Sequence, residues 1–290
     1  MNAHAAPQGA FPDRDGTLFR VWAPASAAVS LVLCGAKKKM IAMRQSGGGY
    51  WEALSQSAGP GTLYKYLLEG RGEFPDPASA AQPQGVHGPS MVPQPPEAFS
   101  WTDQAWKGAS PSEMIIYELH PGTFSPGGDL RGVMEKLPYL KDLGINAVEL
   151  MPLAQFPGTR NWGYDGVYPY AVQDSYGGPE ALKALVNACH TEGIAVMLDV
   201  VYNHLGPEGN YLSNFGPYFT DRYRTPWGSA INYDGADSAP VREFFIGNAM
   251  RWFREFRVDA LRLDAVHGIF DFGAKHFLAE LAERTAELSR

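Results

Sequence analysis

Ala195-Val196-Met197-Leu198-Asp199-Val200-Val201-Tyr202-Asn203-His204 is an apolar run broken by one acid and closed by an amide and an imidazole. A strand so apolar reads as covered on both faces, the situation inside a parallel sheet. Three further runs have the same character: Ile115 to His120, Ala147 to Met151, and Val258 to Leu263. Between them the period turns helical. Leu130, Val133, Met134 and Leu137 share one helical face, as do Leu182, Leu185, Val186 and Cys189, which Gly193 terminates in the C′ position. Phe244, Phe245, Asn248, Trp252 and Phe253 form the next helix, begun by Ser238 and Pro240, and Phe277, Leu278, Leu281 and Leu288 form the last. Repeated strand-helix alternation implies a parallel sheet. A closed eightfold barrel needs ~250 residues, so the segment fits either half of one or a complete doubly wound sheet. Spacing alone leaves both open.

Upstream of Lys107 to Pro111 the pattern differs. Thr17 to Trp22, Val29 to Leu33, Tyr50 to Leu54 and Thr62 to Leu67 are short runs separated by Gly and Pro. Such spacing predicts a small antiparallel β-sandwich. Residues 74–99, rich in Pro, Gln and Gly, are expected to run over the surface as a connector. The division is therefore an all-β immunoglobulin-like sandwich with its linker over 1–108 and a (β/α) segment over 109–290.

The bulk numbers narrow the function. The chain has 290 residues, 45% of them hydrophobic, and a net charge of -7 with the signs interspersed. No basic stripe offers a phosphate track, so no nucleic-acid partner is expected. Lys37-Lys38-Lys39 reads as a solvated turn. Cys34 and Cys189 are far apart and form no disulfide framework, which suits a reducing compartment. No run approaches the ~18 apolar residues of a membrane span. Residues 1–11 lack the features of a signal peptide, so a cytoplasmic location is expected.

In a parallel α/β barrel the functional groups stand just past the C-terminal ends of the strands. Those ends carry His120, Met151-Pro152, Asp199 through His204, and Asp264 through His267. Period-two alternation puts Arg262 and Asp264 on one side of their strand. A neighbouring cation keeps a carboxylate ionised at neutral pH, as a carboxylate nucleophile requires. A lone strand-end Asp is commonly a helix cap, but two strand ends each pairing an acid with a His are poorly explained by capping. Glu118, Glu149, Cys189 and His190 read as structural. His190, His204 and His267 lack the spacing of a zinc site.

Asp199 to His204 and Arg262 to His267 together resemble the first two signature regions of the α-amylase superfamily, so the β/α segment is expected to be the first half of a (β/α)8 TIM barrel, strands one to four. The resemblance implies that Asp264 is the nucleophile, positioned by Arg262, with Asp199, Asn203, His204 and His267 shaping the subsite of the sugar being cleaved. Trp162-Gly163-Tyr164-Asp165 resembles the loop after the second strand, whose Tyr stacks on that sugar; Tyr164 as ordinary loop packing is the alternative. Asn203 matches a calcium ligand of many α-amylases, but its loop does not resemble theirs, so neither metal nor cofactor is expected.

A finer resemblance, from about Gly16 onward, is to the malto-oligosyltrehalose trehalohydrolase family. It rests on Phe74 to Ser79, Gly85 to Ser90, Glu149 to Val167, and Asn203 to Tyr211 with Gly216 to Thr220, and it departs at Pro121. It implies retaining hydrolysis of the α-1,4 bond beside the trehalose end of malto-oligosyltrehalose. An α-1,4-glucan branching enzyme and a non-catalytic glucan-binding fragment are the alternatives. The family's general acid follows the fifth strand and a third acid follows the seventh. Glu280, Glu283 and Glu287 read as exposed helix positions, so the chain is expected to be a fragment, inactive alone. Oligomeric state is not legible.

Overall fold

Along Leu63–Leu68, Tyr64, Tyr66 and Leu68 are buried while Leu63, Lys65 and Leu67 are half-buried. That alternation assigns one face of the strand to a core. The computed structural model describes residues 7–289 and builds such strands into two antiparallel sheets. One contains β1 (Gly9–Asp13), β2 (Gly16–Trp22), β5 (Arg44–Gly47) and β6 (Tyr50–Ser55), ordered β1-β2-β6-β5. The other contains β3 (Val29–Leu33), β4 (Lys39–Ala42), β7 (Leu63–Leu68), β8 (Gly72–Phe74) and β9 (Ser90–Met91), with β7 central. Phe19, Val21, Leu31, Tyr64 and Tyr66 fill the space between them. The expected sandwich is present.

The connector departs from expectation. Pro75 to Gln82 is buried rather than laid over the surface. Asp76 is the cause: fully buried, it accepts from the hydroxyls of Tyr64 (2.7 Å) and Tyr66 (3.4 Å) and from the Ala78 N–H. A buried carboxylate needs such donors, and these pin the connector's first turn to the sandwich. Burial still pushes the Asp76 carboxyl up to about 6.

Beyond the connector, β10 (Ile116–Leu119), β11 (Ala147–Leu150), β14 (Ala195–Val200) and β17 (Ala260–Leu263) form a parallel sheet in that order. Two further strand pairs, β12 (Ala154–Gln155) with β13 (Tyr168–Val172), and β15 (Phe219–Thr225) with β16 (Gly228–Ile231), are antiparallel and sit in the loops. The helices are α1 (Pro121–Phe124), α2 (Leu130–Met134), α3 (Leu137–Asp142), α4 (Gly178–Thr191), α5 (Leu212–Phe215), α6 (Ser238–Phe256) and α7 (Phe277–Ala286). Gly193, at φ 77°, follows α4 as its apolar period foretold. The sheet is a partial barrel: among the described residues β10 and β17 pair on one side only. Accordingly Ile115 and Ile116 are exposed and all of β17 is only half-buried. Cys34 and Cys189 are free thiols. No described helix is long and apolar enough to cross a membrane.

A buried polar knot ties connector and sheet at the N-terminal ends of the strands. His190 lies between Asp103 (Nδ1 to Oδ2, 2.8 Å) and Asp259 (Nε2 to Oδ2, 3.0 Å). Trp106 stacks on the imidazole and donates to Asp259, as does the Val196 N–H, while Arg257 donates to Asp103. His190 is thus structural, as its sequence position suggested. Glu280 is less exposed than expected, because Arg242 donates to it.

Candidate active site

Parallel pairing sets Asp199 of β14 opposite Arg262 of β17. Both therefore point to the same side of adjacent strands. Arg262 Nη1 donates to both oxygens of Asp199 (3.0 and 2.9 Å) and to Oδ1 of Asp264 (2.8 Å). One guanidinium thus joins two carboxylates at the strand ends. Burial pushes the Asp199 carboxyl up to about 6, against the downward pull of Arg262 and Tyr164. Arg262 itself is held more firmly protonated by the two acids, which outweigh its own desolvation.

Tyr164 reaches across from the loop after β11, and its hydroxyl donates to Asp199 Oδ2 at 2.9 Å. Burial and Asp199 both push the phenol up, so it stays a donor. The loop is stiff. Asn161 accepts from the Gly163 N–H and donates to Asp165, and Gly163, at φ 101°, packs so tightly on Pro152 that a Cβ would lie 2.2 Å from its carbonyl oxygen. Only glycine tolerates both conditions.

Asn203 is fully buried; its Nδ2 donates to the Ala265 carbonyl (3.3 Å) and lies 3.5 Å from Asp264 Oδ2. His204 places Nδ1 on Asn203 Oδ1 (2.9 Å) and Nε2 on the Tyr164 carbonyl (3.0 Å). Burial lowers its pKa, against an upward pull from the Tyr164 carbonyl and Asp264. Asp264 is half-buried. Ala265, next in the chain, has φ 37° and ψ 50°, a left-handed conformation unfavourable for a residue with a Cβ. His267 stands exposed on the following 3-10 turn. Asp199, Asn203, His204, Arg262, Asp264 and Tyr164 are thus one hydrogen-bonded cluster, and the exposed His267 is not joined to it.

Two features go beyond the reading of the sequence. Trp227, between β15 and β16, stacks on His204 with centroids 4.5 Å apart and planes 9° from parallel. The residue is otherwise exposed. The signal was there in Thr225-Pro226-Trp227-Gly228, a tryptophan inside a turn. Second, the carboxylates of Glu118 and Glu149 approach Asp199, with ligand oxygens of all three within 4.8 Å of one another. That spacing would admit a cation, and Arg262 already sets its positive charge there, drawing the burial-raised Glu149 carboxyl down.

A carboxylate bonded to an arginine, a second acid fixed by a tyrosine, and aromatic rings beside them suit attack on a pyranose ring. Comparison with known proteins agrees with this chemistry. The family described as Alpha amylase, catalytic domain matches residues 95–227, and Carbohydrate-binding module 48 (Isoamylase N-terminal domain) matches residues 4–83. A malto-oligosyltrehalose trehalohydrolase from Saccharolobus solfataricus is 48% identical over 271 residues, 93% of this chain and 48% of the relative. A 1,4-alpha-glucan branching enzyme from Xanthomonas campestris is 30% identical over 88% of this chain and 38% of its own length. A Salmonella typhimurium crystal structure described as an alpha amylase superposes with a TM-score of 0.92 at 41% identity, over 98% of this chain and 48% of that one. The chain spans about half the length of the curated relatives it matches.

Proposed function

This chain belongs to the α-amylase superfamily, and from that premise we propose that it supplies the nucleophile and the cleavage subsite of a retaining glycosidase that releases trehalose from malto-oligosyltrehalose. The observation that carries the reading is the sharing of Arg262 between Asp199 and Asp264. It fixes Asp264 through Oδ1 and leaves Oδ2, with only the long 3.5 Å contact from Asn203 Nδ2, to attack the anomeric carbon. The bond to the leaving oxygen breaks as a glycosyl-Asp264 ester forms, and water then opens the ester. The proton for the leaving oxygen comes from a general acid that we assign to none of the residues described above. Asp199 and His204 hold the ring hydroxyls, His267 borders the leaving side, and Tyr164 covers the ring's apolar face. A cytoplasmic location fits the free thiols.

The test is Asp264→Asn in the complete gene product, assayed for trehalose release from maltosyltrehalose. The amide is nearly isosteric but cannot form the ester, so turnover falls by on the order of 10⁴-fold or more while melting is unchanged. Turnover near wild type would refute the assignment.

A further inference from the structure

Between residues 7 and 92 the sequence holds eight aromatic side chains, and none of them is exposed. A module that grips a glucan by stacking needs aromatic faces open to solvent. Here Trp22, Tyr66 and Phe74 face the barrel's own third loop instead. Trp22 meets Tyr218 edge-on at 5.2 Å, Tyr66 meets Phe215 at 6.4 Å, and Phe74 meets Tyr211 at 5.3 Å. Arg71 donates to the Asn214 carbonyl.

One close point of this seam is Gly216. Its backbone is extended (φ -169°), a conformation any residue adopts, so glycine is not required there for its torsions. It is required for space: a Cβ would lie 2.7 Å from Trp22 Cζ3. Trp22 cannot retreat, being 1% exposed and donating from Nε1 to the Gly48 carbonyl. From Gly216 the contacts run to the site. The Asn232 N–H donates to the Tyr218 carbonyl, and Asn232 Nδ2 donates to the Pro217 carbonyl, which closes the base of the β15–β16 hairpin. Tyr233 donates to the Tyr202 carbonyl, next to Asn203. The hairpin's far end carries Trp227 on His204.

We infer that the sandwich serves as a brace, with Trp22 and Gly216 as positioning residues that set the third loop, and thereby Trp227, against the bound glucan. The inference rests on reading the site as a glucan cleft. A methyl at 216 displaces the loop because the indole is boxed in, and shortening residue 22 restores the room. Rescue of KM is the signature: residues in contact couple through the clash they share, and a merely structural clash would move Tm without moving KM.

The experiment compares wild type, Gly216→Ala, Trp22→Phe and the double variant in the complete gene product on maltosyltrehalose, well below the melting temperature. Gly216→Ala raises KM by on the order of tenfold with kcat within about threefold, as displacement of a binding wall should. The double variant recovers KM to within about threefold of wild type, although Trp22→Phe alone lowers Tm. An unchanged KM in Gly216→Ala, or a double variant worse than either single one, would overturn the brace. Should the wild type release no trehalose, the preceding reading fails, and the same four proteins are compared by their Kd for maltoheptaose, with the same criterion. Wild type that binds no glucan overturns both.

Discussion

Replacing Asp259 tests whether the knot below the sheet holds the connector to the barrel. The carboxylate accepts from the Val196 N–H (2.8 Å), Trp106 Nε1 (2.7 Å) and His190 Nε2 (3.0 Å), with its side chain 13% exposed. Removing one partner of a buried ion pair costs about 3–5 kcal/mol when the other charge is stranded. Here Asp103 stays on the far side of the imidazole, and water reaches the rim, so Asp259→Ala should cost about 3 kcal/mol, the low end of that range. Asp259→Asn keeps one acceptor oxygen but turns an amide N–H toward a donor, and should cost about half as much. For a chain of this size about 3 kcal/mol corresponds to roughly 5 °C in Tm. Although burial works against it, His190 is held above its ordinary pKa by hydrogen bonds to Asp259 and Asp103. The contribution of its charge is therefore complete below the ordinary histidine value and lost as pH rises through the elevated folded value. The gap between wild type and Asp259→Ala should narrow with rising pH. Urea unfolding followed by tryptophan fluorescence, at a pH below the ordinary histidine value and at one well above it, measures both quantities. A loss under about 1 kcal/mol, or a gap that widens with pH, would refute the account.

Tyr164→Phe keeps the ring and removes the donor to Asp199; kcat/KM on maltosyltrehalose should fall about tenfold, the scale of one hydrogen bond to a charged group, and a fall in Tm with unchanged kinetics would return Tyr164 to loop packing. Asp199, pushed up to about 6 by burial, takes up its proton as pH drops through that value, ahead of the unfolded chain; folded stability therefore gains from it on acidification while the anion that pairs with Arg262 is lost. The acid limb of kcat/KM should accordingly fall near pH 6 and move in Tyr164→Phe, and a limb unmoved there would assign it to another group. Residues 1–290 expressed alone present the unpaired edges of β10 and β17, so they should bind hydrophobic dyes, self-associate and release no trehalose; a dye-silent monomer with turnover would contradict this.

The division into sandwich and parallel sheet was legible because strand periodicity and Gly/Pro punctuation are local. So was the juxtaposition of the candidate residues: a parallel sheet puts strand ends at one level, and Asp199 and Arg262 stand in direct register. What escaped depends on partners distant in sequence. Pro75 to Gln82 looked like solvent-facing connector because nothing nearby shows Tyr64 and Tyr66 donating to Asp76. Trp227 stacks on a histidine that belongs to another element. Asp103 and Trp106, beside the domain boundary, acquire meaning only once α4 and β17 bring His190 and Asp259 to them. Glu118 and Glu149 read as strand interior, and the closeness of their carboxylates to Asp199 follows from the pleat of three strands at once.

Ala265 sets stability against activity at one backbone position. A residue with a Cβ held at φ 37° stores about 1–2 kcal/mol that glycine would release. Ala265→Gly should therefore raise the melting temperature. It would also widen the torsional range of the link that follows Asp264 and carries the carbonyl to which Asn203 donates. The carboxylate would then sample more orientations, fewer of them in line with an anomeric carbon. A screen for thermostable variants would select glycine at this position, and the selected protein would be the slower catalyst.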